Sequence, residues 1–377
     1  MGTGQPRGRS GGRPTLEEVA ARAGVGRGTV SRVINGSPRV SEHTRAAVEE
    51  AVAELGYVPN TAARALAANR TDSIAVVVPE PEARFFAEPY FSDIIHGVGQ
   101  ALADTDMQLV LTFAGGDRER RRLAQYLAAH RVDGVLLVSV HADDPLPDLL
   151  QQLDTPAVIS GRRSAHETLA SVDSDNFAGA RAAVAHLVAR GRRTIATITG
   201  RLDVYGAQRR LDGYREGLRA AGHPVDETLI VRGDFTEEGG RRAMAELMER
   251  TPDLDAVFAG SDVMAAGARQ VLRAAGRRIP QDVALVGFDD SAIARHMDPP
   301  LTSVRQPITE MGRTMTEVLL AEIAARGEAG GVGETGRRSA AGAGAGAGAG
   351  GGGGAGVGSG GRRQIVLPTE LVERASS

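Results

Sequence analysis

The run Thr15-Leu16-Glu17-Glu18-Val19-Ala20-Ala21-Arg22-Ala23-Gly24-Val25-Gly26-Arg27-Gly28-Thr29-Val30-Ser31-Arg32-Val33-Ile34-Asn35 reads as two short helices around a glycine break. Thr15 can cap the first helix, with Glu18 three residues on to close a capping box. Leu16, Val19, Ala20 and Ala23 form its apolar face, and Gly24-Val25-Gly26 breaks it. The spacing predicts a second helix from about Arg27 to Ile34 that buries Val30, Val33 and Ile34 and turns Arg27, Gly28, Thr29, Ser31 and Arg32 outward. Asn35-Gly36-Ser37-Pro38 is a turn, and Ser41 caps a third helix closed by Gly56. A tight turn followed by a helix with small and polar residues outward is what a helix-turn-helix requires. Arg pairs bidentately with guanine, and Ser or Thr can hold phosphates or bases. The same pattern also suits an ordinary small helical bundle with a solvated face.

Outward from this stretch, Asn60 is a good N-cap for Thr61 to Ala68, a helix of about nine residues that is too short to persist alone in water. From Ile74 the texture changes. Apolar runs at Ile74–Val78, Leu109–Thr112, Val135–Ser139, Ala157–Ile159, Ile195–Thr199, Ala256–Ala259 and Val283–Phe288 alternate with helical stretches near 92–104, 117–130, 176–190, 208–221, 237–250 and 262–275. Continuous apolar strands with helices between them predict parallel sheets covered on both faces, here in two doubly wound lobes. Residues 330–361 are nearly all Gly and Ala and are expected to be a disordered surface insertion, because Gln364–Leu367 beyond them reads as a strand that rejoins the body.

Composition narrows the function classes. Cysteine is absent, which excludes disulfides and cysteine-based zinc sites, and no metal or cofactor site is expected. No run of eighteen apolar residues occurs, so no membrane span is expected, and Met1 to Pro14 lacks the apolar core of a signal peptide. A cytoplasmic protein is the simplest reading. Residues 1–70 hold ten Arg against six Glu, a net +4, while the whole chain is −3. A basic end ahead of an acidic body is compatible with phosphate binding there. No catalytic residues are assigned: the histidines are scattered, HExxH and GxSxG patterns are missing, and an enzyme is disfavoured.

The quoted run, together with Val40-Ser41, Thr44-Arg45, Leu55-Gly56-Tyr57-Val58-Pro59-Asn60, Ala63-Arg64 and Leu66, resembles the headpiece of the LacI/GalR repressor family. The similarity continues to Leu367-Pro368-Thr369-Glu370-Leu371-Val372 and leaves out the Gly/Ala insertion. The resemblance implies an all-α helix-turn-helix headpiece followed by an α/β two-lobed sensor like periplasmic sugar-binding proteins. It implies that Arg27 to Asn35 enters the major groove, with Arg27 and Gly28 at base-reading positions, Thr29, Ser31 and Asn35 on the backbone, and Thr15 and Arg32 beside them. It further implies a hinge helix from Asn60 through Ala63, with Leu66 wedged into the minor groove. Gly26 and Gly28 stand where the family usually has side chains, which concentrates direct readout on Arg27.

In the sensor, the resemblance places Arg210, Asp289, the pair Ser261-Asp262 and Phe235 in the ligand cleft, and Ser139 ends a strand on its rim. Phe85, Phe86, Tyr90 and Phe91 crowd one short stretch, of which Phe85 and Tyr90 are expected to wall the cleft. That stretch, Arg84 to Phe91, also looks like the one in actinobacterial regulators that respond to cello-oligosaccharides or other β-glucosides. The predicted organisation is a tail over 1–13, a DNA-binding domain over 14–59, a hinge over 60–70 and a ligand-binding and dimerisation domain over 71–377. Its first lobe takes 72–171 and 303–328, and its second takes 172–302 and 362–377. The partners implied are operator DNA, a mono- or oligosaccharide effector and a second copy of the chain. A transport binding protein and a sugar-processing enzyme are the competing classes.

Overall fold

The computed structural model describes residues 14–34, 37, 39–57, 70–335 and 363–377, which fall into two compact units, 1–71 and 72–377. In the first unit, α1 (Leu16–Ala23), α2 (Arg27–Ile34) and α3 (Glu42–Leu55) close on Val19, Ala20, Val30, Val33, Val48 and Ala51. The Thr15 side chain accepts from the Glu18 amide at 3.3 Å while Glu18 Oε2 accepts from the Thr15 amide at 2.8 Å, the capping box read from sequence. Gly24 and Gly56 end α1 and α3 in the left-handed conformation, at φ 67° and 60°.

The second unit holds two six-stranded sheets. In the first sheet all neighbours are parallel, in the order β11–β5–β4–β3–β1–β2. These are Gln364–Leu367, Ala170–Ser174, Ala157–Ser160, Gly134–Leu137, Ser73–Val78 and Gln108–Phe113. The second runs β12–β10–β9–β8–β6–β7, namely Glu370–Val372, Thr302–Arg305, Ala284–Asp289, Ala256–Ala259, Ile195–Thr199 and Ile230–Arg232; only β12 is antiparallel to its neighbour. Each sheet is covered on both faces by apolar clusters, which is why its central strands read as unbroken apolar runs.

The chain passes between the sheets three times: from β5 into α8 (Asn176–Ala189), from β10 into α13 (Ile308–Thr335), and from β11 to β12. This corrects the expected lobe boundaries. β10 belongs to the second lobe, although 303–328 was assigned to the first, and β11 belongs to the first lobe, although 362–377 was assigned to the second. The physical reason is pairing: β10 lies between β9 and β12, while β11 completes the edge beside β5. Helix α13 also runs to Thr335, past the expected start of the insertion at 330, since a helix nucleated by its packed first half propagates at little cost. Residues 336–362 of the insertion lie outside the described residues. Helix α13 lies against α5 (Pro89–Leu102) with backbones touching: a Cβ at Gly97 would sit 1.9 Å from the Thr309 carbonyl oxygen, and one at Gly312 would sit 2.2 Å from that of Ile94.

Candidate functional site

In the N-terminal unit α2 presents one polar face. Arg27, Gly28 and Arg32 are exposed, and Thr29 and Ser31 are half-buried. Arg27 pairs with Glu17 of α1 at 2.9 Å, with both side chains more than half exposed, so solvent leaves the guanidinium available for exchange to another anion. A Cβ built on Gly26 meets nothing within 4 Å, and one on Gly28 meets only the Arg32 guanidinium at 3.8 Å. The glycines therefore leave this face open and are not demanded by packing. Thr15 spends its side chain on the cap of α1. Asn35, Asn60, Ala63 and Leu66, and with them the hinge and wedge, lie outside the described residues.

The second unit encloses a cleft of about 930 Å³, mouth included, between its two sheets. Its centre is Arg210, on α9 (Tyr205–Ala220). Arg210 Nε donates to Asn176 Oδ1 at 2.8 Å, Nη1 donates to the Gly260 carbonyl, and Asp289 Oδ1 lies 3.7 Å away. The guanidinium lies 3.8 Å from the Phe288 ring centre and 5.9 Å from that of Phe235. Asp289 ends β9 and accepts from Gln306 Nε2 at 2.6 Å. Gln306 Oε1 in turn accepts from Ser174 Oγ, and Asn176 Nδ2 donates to Asp173 Oδ1 and to the Ser174 carbonyl, both at 3.0 Å. A chain of hydrogen bonds from Arg210 through Asn176, Ser174 and Gln306 to Asp289 thus joins the cleft to two of the three passages between lobes.

Burial sets the electrostatics. Desolvation raises the Asp289 carboxyl to about 6 against the opposing pull of Arg210 and the Gln306 bond. Glu88 is raised to about 7 by burial despite its contact with Arg84 at 2.5 Å, with Asp289 and Glu80 adding repulsion. Asp173 is raised by burial as well, and burial lowers Arg210. Tyr90, its hydroxyl 2.5 Å from Ser160 Oγ, is raised to about 12 by burial and stays a neutral donor. Several carboxyls held between guanidinia are suited to neutral ligands that offer many hydroxyls.

Three sequence-predicted residues reach the cleft on strained backbone. Ser139, Phe235 and Asp289 have φ of 66°, 67° and 110°, a region that side-chain-bearing residues rarely occupy. Such strain persists where surrounding structure enforces it, and it clusters at functional positions. Phe235 fits because Gly200 has no side chain: a Cβ there would come 2.0 Å from the ring. Tyr90, Ser139, Arg210, Phe235, Ser261 and Asp289 all line the cleft, although Ser261 Oγ caps α11 (Asp262–Ala274) and Ser139 Oγ donates to Glu80. Two expected members do not line it. Phe85 lies on α4 (Glu82–Ala87) and packs against Phe91 and Phe113, because that helix turns it toward the first sheet's core. Asp262 is fully buried beneath the cleft, where it accepts from Ser303 Oγ at 2.6 Å and the Ser291 amide at 2.7 Å. The sequence reading missed Glu88, Asp93, Arg162, Asp173, Asn176 and Gln306, which the structure brings to the same cleft. The unusual polar residues inside buried strands and crossovers were the available signal.

Among the described residues no helix is long and apolar enough to cross a membrane. The model of the lacI family of bacterial regulatory proteins matches residues 15–60, and that of the periplasmic binding protein-like domain matches residues 184–335. The chain is 54% identical over 313 residues to the HTH-type transcriptional regulator CelR of Thermobifida fusca, covering 82% of this chain and 92% of that one. It is 36% identical over 311 residues to the ribose operon repressor of Escherichia coli K12, covering 82% and 93%. Among solved structures it is similar to a transcriptional regulator CelR–cellobiose complex, with a TM-score of 0.71, 46% identity and coverage of 97% and 100%. It is also similar to the lac repressor dimer bound to operator and the anti-inducer ONPF, with a TM-score of 0.77, 26% identity and coverage of 97% and 99%. A helix-turn-helix unit followed by a two-sheet sensor with a polar cleft, matched along most of its length by these regulators, makes this chain a member of the LacI family of DNA-binding transcriptional regulators.

Proposed function

We propose that the chain is a repressor that grips a symmetric operator as a homodimer and is released when a short β-linked glucose oligosaccharide such as cellobiose fills its cleft. One α2 helix reads only half a site, so two copies suit a two-fold operator. Arg27, Gly28, Thr29, Ser31, Arg32 and Asn35 are assigned to the major groove, Thr15 to its border, and Asn60, Ala63 and Leu66 to the hinge and minor groove. Tyr90, Ser139, Arg210, Phe235, Ser261 and Asp289 are assigned to the effector.

The observation that carries the sugar assignment is Arg210 fixed between Asn176, Asp289 and the Phe235 ring. A pyranose needs a donor fork, an anionic acceptor and an apolar plate, and this arrangement holds all three within one side chain's reach. The relative at 54% identity and the neighbouring cellobiose complex favour the β-glucoside class over ribose. In this reading effector binding acts by favouring one angle between lobes, and the hydrogen bonds through Gln306, Ser174 and Asn176 are what tie the cleft to two of the passages between them.

Calorimetric titration of the full chain with cellobiose, cellotriose, glucose and ribose tests the assignment. Cellobiose or cellotriose is expected to bind most tightly; tighter binding of ribose, or of no sugar in the panel, would overturn it. The regulators of this family are not enzymes by function, and an unchanged sugar recovered after prolonged incubation is the expected companion result.

A further inference from the structure

Every polar group of the residue after the proposed effector acceptor is bonded. Asp290 has 2% of its side chain exposed and a left-handed backbone of its own, φ 54°, directly after Asp289 at φ 110°. Its amide donates to Ser303 Oγ at 3.0 Å, its carbonyl accepts from Arg295 at 3.1 Å, and its carboxylate takes two guanidinia. One is Arg305, the last residue of β10, at 2.8 Å and half-exposed. The other is Arg374, from the segment that follows β12, at 2.5 Å with 15% of its side chain exposed.

Arg374 is anchored before it reaches Asp290. Its amide donates to Thr302 Oγ1 at 2.9 Å, and its Nη1 donates to the Leu301 carbonyl at 2.7 Å. Ser376 beyond it binds two adjacent strands of the same sheet, β9 and β10: its carbonyl accepts from the Leu285 amide at 2.8 Å, and its Oγ accepts from the Thr302 amide at 2.8 Å. Two consecutive non-glycine residues in left-handed backbone revert to ordinary angles unless neighbours hold them. A desolvated guanidinium on an almost fully buried carboxylate is the strongest single hold available there.

We propose that Arg374 is a positioning residue of the effector site: through Asp290 it clamps the strained Asp289-Asp290 turn and thereby aims the Asp289 carboxylate into the cleft. The proposal rests on the assignment of Asp289 as the hydroxyl acceptor. The segment after β12 is then a strap for ligand recognition as well as a sheet edge.

Cellobiose is the probe. R374M keeps the aliphatic stem and removes the fork; it is expected to weaken cellobiose binding by the full chain about tenfold or more, with R374K intermediate. E373Q, next in sequence and facing Arg190 and His186, is the control and is expected to bind as the wild type does. A merely structural role would lower affinity on any background. A positioning role gives no further loss when R374M is added to D289N. Wild-type affinity in R374M, or an equal loss in the D289N background, would overturn the proposal. A second readout needs no sugar: amide exchange at Asp290 and Ser291 should quicken about tenfold in R374M while Val257 and Phe258 of β8 hold their rates. Unchanged exchange at the turn would also overturn it. D289N binding cellobiose as tightly as the wild type would instead overturn the role given to Asp289, and the exchange rates would still decide whether Arg374 holds the turn.

Discussion

Replacing Arg210 with Met removes the donor fork of the cleft while keeping most of its volume. The guanidinium makes one bond to Asn176 Oδ1 at 2.8 Å, a second to the Gly260 carbonyl, and an ion pair to Asp289 at 3.7 Å, all with 11% of the side chain exposed. A charged hydrogen bond contributes about 1.5–3 kcal/mol net, and breaking a buried pair from one side costs about 3–5 kcal/mol. Arg210 itself is disfavoured by burial, which lowers its affinity for its proton and offsets part of that cost. The stability loss should therefore fall near the lower end, about 2 kcal/mol, because Met suits the apolar Phe288 face. Effector affinity loses more, since the sugar must replace the fork's bonds with nothing: about 3 kcal/mol, or roughly a hundredfold. A second signature follows from charge. Without the guanidinium the Asp289 carboxyl rises further above about 6, so the deficit against wild type should widen from pH 8 to pH 6. Calorimetry with cellobiose at both pH values reads both effects. Affinity within threefold of wild type, or a deficit independent of pH, would show that Arg210 and Asp289 do not act together on the effector.

Further outcomes follow from the same geometry. As the proposed acceptor of an effector hydroxyl, Asp289 is the stronger acceptor when ionised, and burial raises its carboxyl to about 6; effector affinity should hold above that value and fall as pH drops through it, while D289N binds weakly and shows no such fall. F235A should weaken cellobiose binding about tenfold, and G200A should do nearly the same, because its Cβ would displace the ring; direct titration of both variants checks this. R27A should leave the melting temperature within a degree or two, since its pair with Glu17 is solvent-exposed, yet reduce discrimination at one operator base pair by about 1–3 kcal/mol in competition binding. G312V should lower the melting temperature sharply, because its Cβ would lie 2.2 Å from the Ile94 carbonyl oxygen of α5 and would force the two helix backbones apart.

Local chemistry made the headpiece legible: Thr15 with Glu18 fixes the start of α1, Gly24 and Gly56 fix two ends, and the valine spacing gives the shared core. The long apolar strands of the sensor were equally plain. What the pattern hid were the strands at the passages between lobes. Ala170–Ser174 and Thr302–Val304 are buried but partly polar, since Ser174, Thr302 and Ser303 serve hydrogen bonds to segments far away in sequence. The same texture leaves Asn176 and Gln306 without a local site signal, whereas the lobes of β10 and β11 are set by pairing with strands distant in sequence. Arg210, Asp289 and Phe235 were accessible through resemblance, but nothing local announces that Phe235 and Asp289 sit on strained backbone or that Gly200 clears space for a ring. Phe85 and Asp262 misled for one reason: residue type suits a cleft, and only the direction of a helix or the depth of a side chain shows that the first faces the core and the second lies beneath the site.

The central claim is that one chain joins operator binding to sugar binding. Its most direct test is the fluorescence anisotropy of a labelled duplex from the protein's own promoter region, titrated with the full chain at fixed salt and then with cellobiose. The expected result is tight, salt-sensitive binding that competitor DNA of scrambled sequence does not displace, followed by release as cellobiose saturates the cleft. Binding that survives saturating cellobiose unchanged, or no specific binding with or without the sugar, would contradict it.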